Sequence, residues 1–145
     1  MKNAASINPT GINTSESQQR KSSKSAVLWV VQIVLALLFL FVGMMKLVTP
    51  IDILLAQMAV PLPGLFVRFI GVIEVAGALG LVFPALLRIK VFLTPLAAWG
   101  LALEMVGATI ITVIGAGVVS ALMPFLVGVL AVYIAYGRRQ SLRAA

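Results

Sequence analysis

Four long stretches of the chain are almost wholly apolar, and short segments with proline, glycine or charged residues separate them. A helix needs about 20 predominantly apolar residues to cross the roughly 30 Å hydrocarbon layer of a bilayer. The stretches at about residues 26–48, 65–83, 91–114 and 118–136 meet this requirement. We expect the second helix to stop at Pro84, because proline disrupts helices. The pattern therefore predicts an all-α fold, a polytopic membrane four-helix bundle.

The segment between the first two runs, TPIDILLAQMAVPLPG, is too short to span and has a different pattern. Thr49 and Pro50 suit the cap and the first position of a helix, and Asp52 suits its first turn. Apolar residues then recur at helical spacing over residues 51–58. We predict a short interfacial helix between spans 1 and 2, lying over one mouth of the bundle. A loop with a single helical turn is the alternative.

The distribution of basic residues predicts the orientation. Four spans place both termini on one side of the membrane, and of 11 basic residues only Lys46 and Arg68 fall on the other side. By the positive-inside rule the bundle should be N-in/C-in. The interfacial helix and a tight turn at residues 115–117 then face away from the cytoplasm. The cytoplasmic basic residues are Lys2, Arg20, Lys21, Lys24, Arg88, Lys90, Arg138, Arg139 and Arg143.

The ends of the chain differ from its centre. Residues 1–25 are rich in serine, asparagine, threonine and glutamine, and such a segment buries too little apolar area to offset its ordering entropy. We predict a disordered basic N-terminal tail at 1–25, a four-helix domain at 26–137 and a basic cytoplasmic C-terminal tail at 138–145. The first run is longer than the apolar region of a signal peptide, so we expect it to be an uncleaved span.

The composition narrows the chemistry. With 61% hydrophobic and only 10% charged residues, the chain is too apolar for a soluble domain, and its net charge of +7 is explained by orientation rather than by nucleic-acid binding. It has no cysteine and no histidine, which excludes disulfides, iron–sulfur clusters, histidine-ligated haem and ordinary zinc sites within it. No hydrolase or transferase motif is present, so we expect no metal site and no self-sufficient enzyme.

Two glutamates lie deep within the predicted spans. Glu74 is about nine residues from one end of its run and Glu104 about ten from the matching end of the next, so both should sit roughly 14–15 Å below the outer surface. Each begins an E-x-x-G-A pattern and has small residues on its own face. We expect the two faces to meet in the bundle interior. Gly71 and Ala78 share the face of Glu74, and Gly100 and Ala108 share that of Glu104. The expected role of the glycines is packing rather than ligand contact, namely at Gly43, Gly71, Gly77, Gly80 and Gly107.

These carboxyl groups must be paired, hydrated or protonated at such a depth. Lys46, near the end of the first span, is the expected partner. Arg68 should stay near the outer surface, and Asp52 could pair with either cation. We predict a polar funnel in which Lys46, Glu74 and Glu104 are candidates for a ligand or proton site, with Asp52 and Arg68 at the pocket mouth. The alternative is that both glutamates are neutral acids that only join helices.

Three segments give the chain a family resemblance: FLFVGMMKL at Phe39–Leu47, IGVIEVAGALGLVFP at Ile70–Pro84 and PLAAWGLALEMVGA at Pro95–Ala108. Over about residues 26–137 it resembles the DoxX / DoxX-like family of small bacterial four-helix membrane proteins. The resemblance implies association with membrane redox complexes, since one member is a subunit of a thiosulfate:quinone oxidoreductase. It also matches Lys46 and Glu74 to the lysine and glutamate of the family motif. The histidine that follows the third segment in some relatives is absent here, which argues against a histidine-dependent redox role.

We therefore expect an integral protein of the bacterial cytoplasmic (inner) membrane that is an accessory subunit of a redox system, with a small polar pocket of about quinone size at mid-membrane. Quinone is the candidate cofactor, and no covalent or metal-bound cofactor is expected. A small-solute or proton-coupled transporter and a non-catalytic assembly or chaperone subunit are the alternatives. The expected partners are membrane lipid, redox subunits and a second copy of the chain, but no nucleic acid.

Overall fold

The structure, a computed structural model, describes residues 14–58, 60–87, 89–90 and 92–143. Those residues form helices without any strand, and four of the helices are long and apolar enough to cross a membrane. The predicted all-α architecture of four spans with a short helix after the first is thereby confirmed. The helices are α1 (Thr14–Val48), α2 (Ile51–Ala56), α3 (Gly64–Leu87), α4 (Leu93–Ala116) and α5 (Val118–Arg143).

Helix α1 begins well before the apolar run that predicted it. Residues 14–25, which we had assigned to a disordered tail, are helical, whereas residues 1–13 lie outside the described part of the chain. Extending a helix that the apolar run has already nucleated adds backbone hydrogen bonds without a second nucleation cost. For the same reason α5 continues as far as Arg143, through most of the predicted C-terminal tail.

Pro84 does not mark the end of α3, contrary to the prediction. Helix α3 continues through Pro84 to Leu87, so the predicted stop at Pro84 is wrong. Pro84 has no N–H to give to the carbonyl of Gly80, which removes one hydrogen bond from the last turn. In a membrane helix that loss is tolerated, because groups of the neighbouring helices can satisfy the backbone carbonyl that the proline leaves unpaired. Pro84 is buried against such neighbours.

The connection between α4 and α5 is one residue long. Gly117 has a φ of +86°, and it is the residue at which the chain leaves the helical conformation. A turn was predicted at residues 115–117, and it is present, although Gly115 and Ala116 still belong to α4. Only glycine adopts this backbone conformation readily, because any Cβ would meet the neighbouring carbonyl.

Within residues 31–143, small and branched side chains from α1, α3, α4 and α5 form the core. Ala98, Ala131 and Ala135 are fully buried, so the backbones of their helices lie close to their neighbours. Most large apolar side chains are instead exposed on the outer faces. That distribution is typical of helices whose outer surfaces contact acyl chains rather than water.

Two glycines allow the closest approach between α1 and α3. A Cβ added to Gly43 would lie 2.9 Å from the carbonyl oxygen of Gly71, and one added to Gly71 would lie 3.1 Å from the carbonyl oxygen of Gly43. Gly77 and Gly80 meet side chains of α4 in the same way. The predicted packing role is confirmed for these four glycines.

A polar contact that we had not predicted joins α1, α3 and α5. Gln32 is fully buried, and its Nε2 donates a hydrogen bond to the carbonyl oxygen of Leu81. Its Oε1 accepts a hydrogen bond of 2.7 Å from Nε of Arg138, a residue that we had placed in the C-terminal tail. Because both functions of the amide are satisfied, the contact fixes three helices against one another. The sequence signal was a single glutamine in an otherwise apolar run.

Candidate functional site

The crossing of α1 and α3 brings Lys46 against Glu74. Gly43 lies three residues before Lys46, and Gly71 lies three residues before Glu74, so each glycine shares a helix face with the charged residue that follows it. Nζ of Lys46 donates a hydrogen bond to Oε1 of Glu74, which makes the expected ion pair. The Glu74 side chain is only 1% exposed and that of Lys46 is 21% exposed. The carboxylate is therefore sealed from its surroundings, whereas the ammonium group is not.

Glu104, on α4, lies near the ion pair of Lys46 and Glu74. Glu74 and Glu104 lie near the middles of two 24-residue helices, and Glu104 lies close enough to Glu74 for their charges to interact. Lys46 also lies close enough to act on Glu104 electrostatically. Oε2 of each glutamate is buried, and no N–H or hydroxyl group of the described residues donates to it. One ammonium and two carboxyl groups, which we call the charge cluster, thus meet at one point.

The α4 face around Glu104 is open, contrary to the prediction. A Cβ at Gly100 or Gly107 would meet no atom within 4 Å, and Glu104 itself is half-buried. Helix α4 packs instead through the face that carries Ala98, Leu101 and Met105. The expected packing is therefore wrong for Gly100 and Gly107, whereas Ala108 on the same face does pack against the core. In an apolar helix small residues are compatible with close packing and with an open surface alike.

The open face lines a groove of about 520 Å³, the Glu104 groove. Its walls are apolar side chains of α3 and α4 and of the α2–α3 connection, and Lys46 and Glu104 are the charged residues that line it. Phe69 and Leu103 on its rim are 59% and 75% exposed, so the groove opens on the outer face of the bundle. Sites for small molecules occupy about 300–1,000 Å³ and combine apolar walls with a few polar groups, as this groove does.

Arg68 contacts the backbone at the end of α1, beside the charge cluster. Its Nη2 donates a hydrogen bond of 2.7 Å to the carbonyl oxygen of Thr49, and its Nη1 donates to the carbonyl oxygen of Lys46. The last carbonyls of a helix have no partner within it and carry the negative end of the helix dipole, so a guanidinium group suits them. Arg68 thereby fixes the end of α1 from which the Lys46 side chain projects.

Asp52 does not join the predicted funnel. It lies exposed in the first turn of α2, and within the described part of the chain it forms no salt bridge with Lys46 or Arg68. Of the five residues that we had grouped, three converge in the charge cluster, Arg68 supports it and Asp52 stands apart. No group of three or more acidic, cysteine or histidine ligands suited to a metal ion occurs among the described residues.

A second groove, of about 470 Å³, lies between α4 and α5 and was not predicted. Trp99, Phe125 and Pro124 are among its lining residues, which include no charged side chain. The indole of Trp99 is fixed by an edge-on contact with the ring of Tyr136, with 5.3 Å between ring centroids. Because no charged group lines it, this groove is suited to an acyl chain.

Comparison with known proteins identifies the family. The model of the DoxX-like family matches residues 30–134, a range that contains all three members of the charge cluster. No curated protein and no solved structure gives a significant match to the chain. The family match extends over most of the sequence and includes the central part of every span. With its four apolar helices, the chain belongs to the DoxX-like family of multi-pass membrane proteins.

Proposed function

We propose that this protein binds a lipid-soluble, carbonyl-bearing molecule of quinone size in the Glu104 groove, as an accessory subunit of a membrane redox system. The observation that supports this most directly is the groove itself, about 520 Å³ in volume, apolar along its walls and charged only where Lys46 and Glu104 line it. A quinone has matching chemistry, with an apolar ring and tail and two carbonyl oxygens that accept hydrogen bonds.

Lys46 supplies the contact that orients such a ligand. An ammonium group has three N–H donors, and one of them is directed to Glu74. The Lys46 side chain lines the groove while its charge is balanced by the buried carboxylate, so a neutral ligand can accept a hydrogen bond there without carrying a counter-charge. The apolar walls hold the ring system. Since the chain has no cysteine or histidine, the electrons must come from a partner subunit or from the bound ligand.

The exposed rim favours this function over solute transport. A ligand dissolved in the acyl-chain region can enter a groove that opens on the outer face of the bundle. Transporters that alternate access around a midplane site commonly use discontinuous helices there, whereas α3 and α4 continue unbroken past Glu74 and Glu104. The paired carboxyl groups suit proton-coupled transport, which remains the second candidate.

Quinone binding is the direct test. The full-length protein in nanodiscs would be titrated with a short-chain ubiquinone, and the dissociation constant measured by calorimetry. Gly107→Leu places a large side chain in the groove where the glycine has no neighbour, and Lys46→Met removes the donor. We expect each variant to weaken binding by about tenfold or more, which corresponds to about 1.4 kcal/mol.

Two control variants test the specificity of that effect. Ala76→Leu adds the same side chain on an exposed position of α3, and Asp52→Asn removes a carboxylate from α2. Both should bind quinone as the wild type does. Undiminished binding in the Gly107→Leu and Lys46→Met variants would refute the assignment of the groove. Native partners that co-purify in mild detergent would identify the redox system, and proton-driven solute flux in proteoliposomes would favour the second candidate.

We further propose that the protein lies in the bacterial cytoplasmic membrane with both termini in the cytoplasm. The excess of lysine and arginine at the termini and in the α3–α4 connection supports this orientation. Because the chain has no native cysteine, single cysteines introduced for Ser22 and Gln57 can report it. A membrane-impermeant thiol reagent should label Gln57→Cys in intact cells and Ser22→Cys only after permeabilisation. The reverse pattern would invert the topology.

A further inference from the structure

The two charged residues that line the Glu104 groove differ in their hydrogen bonds. Nζ of Lys46 donates to Oε1 of Glu74, so its charge already has a partner. Within the described part of the chain, no N–H or alcohol hydroxyl group donates to the Glu104 carboxyl, and Lys46 forms its salt bridge with Glu74 rather than with Glu104. A carboxyl group in apolar surroundings without a donor loses the hydrogen bonds that it would make in water. The groove therefore contains an acceptor that its own residues leave unsatisfied.

Thr112 is the other polar side chain on the described groove wall, and it does not supply the donor. Its Oγ1 donates a hydrogen bond of 2.7 Å to the carbonyl oxygen of Ala108, one turn earlier in α4. Backbone N–H groups at this level belong to the interiors of α3 and α4 and donate within those helices. Since the groove opens on the outer face among exposed apolar side chains, a molecule bound in it is the available source of a donor.

A hydroxyl group satisfies both charged residues of the groove. Its oxygen can accept a hydrogen bond from Lys46, whose ammonium group has further N–H donors, while its O–H donates to Glu104. The carbonyl oxygen of a quinone only accepts, so it matches Lys46 and leaves Glu104 without a donor. We propose that the Glu104 groove binds the dihydroxy form of its ligand, a hydroquinone, in preference to the dicarbonyl form, and that Glu104 determines this preference.

Lys46 also explains why the matching donor is a neutral hydroxyl rather than a cation. A cationic ligand would satisfy the Glu104 carboxyl, but it would meet the ammonium group of Lys46, which lines the same groove. A hydroxyl group carries no charge and complements both residues. This inference rests on the proposed function, because it concerns the occupant of the same groove. It adds which oxidation state of that occupant the groove selects.

Calorimetry of the full-length protein in nanodiscs measures the preference. The probes are a short-chain ubiquinone, its hydroquinone kept reduced under anaerobic conditions, and the dimethyl ether of that hydroquinone, which retains the acceptor oxygens but has no O–H. The wild type should bind the hydroquinone about tenfold or more tightly than the quinone or the ether, because a site that hydrogen-bonds a hydroxyl group rejects an analogue that leaves it unpaired. Glu104→Leu removes the acceptor, so the ratio of the quinone and hydroquinone dissociation constants should fall to about one. Asp52→Asn removes a carboxylate that does not line the groove and should keep the wild-type ratio.

These titrations separate the inference from the proposed function. Equal affinities of the wild type for hydroquinone and quinone would refute the preference, while the binding of quinone itself would still support the proposed function. Ether binding as tight as that of the hydroquinone, or an unchanged preference in Glu104→Leu, would refute the role of Glu104. Binding of neither form would overturn both proposals. If Glu104→Leu does not fold, the titrations of the wild type with the three probes still decide.

Discussion

Replacing Gly43 with alanine tests whether the close crossing of α1 and α3 positions the charge cluster. A Cβ at this position would lie 2.9 Å from three atoms, namely the carbonyl oxygen of Gly71, Cβ of Glu74 and Cγ2 of Val75. Ordinary van der Waals contact for a Cβ begins at 3.4 Å, so the helices must separate by about 0.5 Å. The first two of these atoms are fixed by the backbone, and rotation of a side chain cannot relieve the overlap.

The expected magnitude follows from two opposing terms. Overpacking of this kind costs about 1–3 kcal/mol. Alanine also has a better helix propensity than glycine, by about 0.8–1.0 kcal/mol in a helix interior. Gly100→Ala is the matched control, because it has the same gain in propensity and a Cβ there meets nothing within 4 Å. The propensity term cancels between the two variants, so Gly43→Ala should be less stable than Gly100→Ala by about 1–3 kcal/mol.

Equilibrium unfolding in mixed micelles, followed by circular dichroism, measures this difference. Separation of α1 from α3 should also lengthen the contact between Lys46 and Glu74, which spans the same crossing. Gly43→Ala should therefore weaken quinone binding as well, if the proposed site is correct. A Gly43→Ala variant as stable as Gly100→Ala would show that the helices do not approach as closely as the structure indicates, and the positioning argument would fail with it.

Two further substitutions probe the rest of the fold. Gly117→Ala should lower the free energy of unfolding by about 1–3 kcal/mol, because a side chain at a φ of +86° is strained; a melting temperature equal to that of the wild type would contradict this. Gln32→Leu should cost about 1–3 kcal/mol in the same unfolding assay, since the hydrogen bonds of Gln32 with the Leu81 carbonyl oxygen and with Nε of Arg138 are then lost. Gln32→Glu keeps the acceptor for Arg138 but loses the donor to the Leu81 carbonyl oxygen, so it should be destabilising as well.

The number and approximate positions of the helices could be predicted, but their ends could not. Apolar runs of sufficient length identify the residues that are stable in hydrocarbon, and each of the four runs is a helix. A helix, however, continues for as long as its backbone hydrogen bonds can be made. For this reason α1 begins at Thr14 among polar residues and α3 passes through Pro84. Hydropathy describes the solvent that a residue prefers, and it contains no information on where a helix terminates.

The residues of the charge cluster could be predicted because a charge inside a bundle has few acceptable partners. Lys46 was the nearest cation that could reach Glu74, and the two are paired. The packing around Glu104 could not be predicted, because α4 is apolar on every side and its sequence does not distinguish a face that meets a helix from one that meets lipid. Gly100 and Gly107 show this directly, since they resemble packing glycines in sequence but a Cβ on either would meet no atom within 4 Å.

That difference between two similar sequence patterns explains why one carboxyl group of the cluster is sealed and the other is accessible. Gly71, beside Glu74, admits α1, which covers the carboxyl group and supplies its cation. The glycines around Glu104 admit no helix, and the space that they leave is the groove. The cluster therefore has one sealed carboxyl group, paired with its cation, and one accessible carboxyl group that lines the groove.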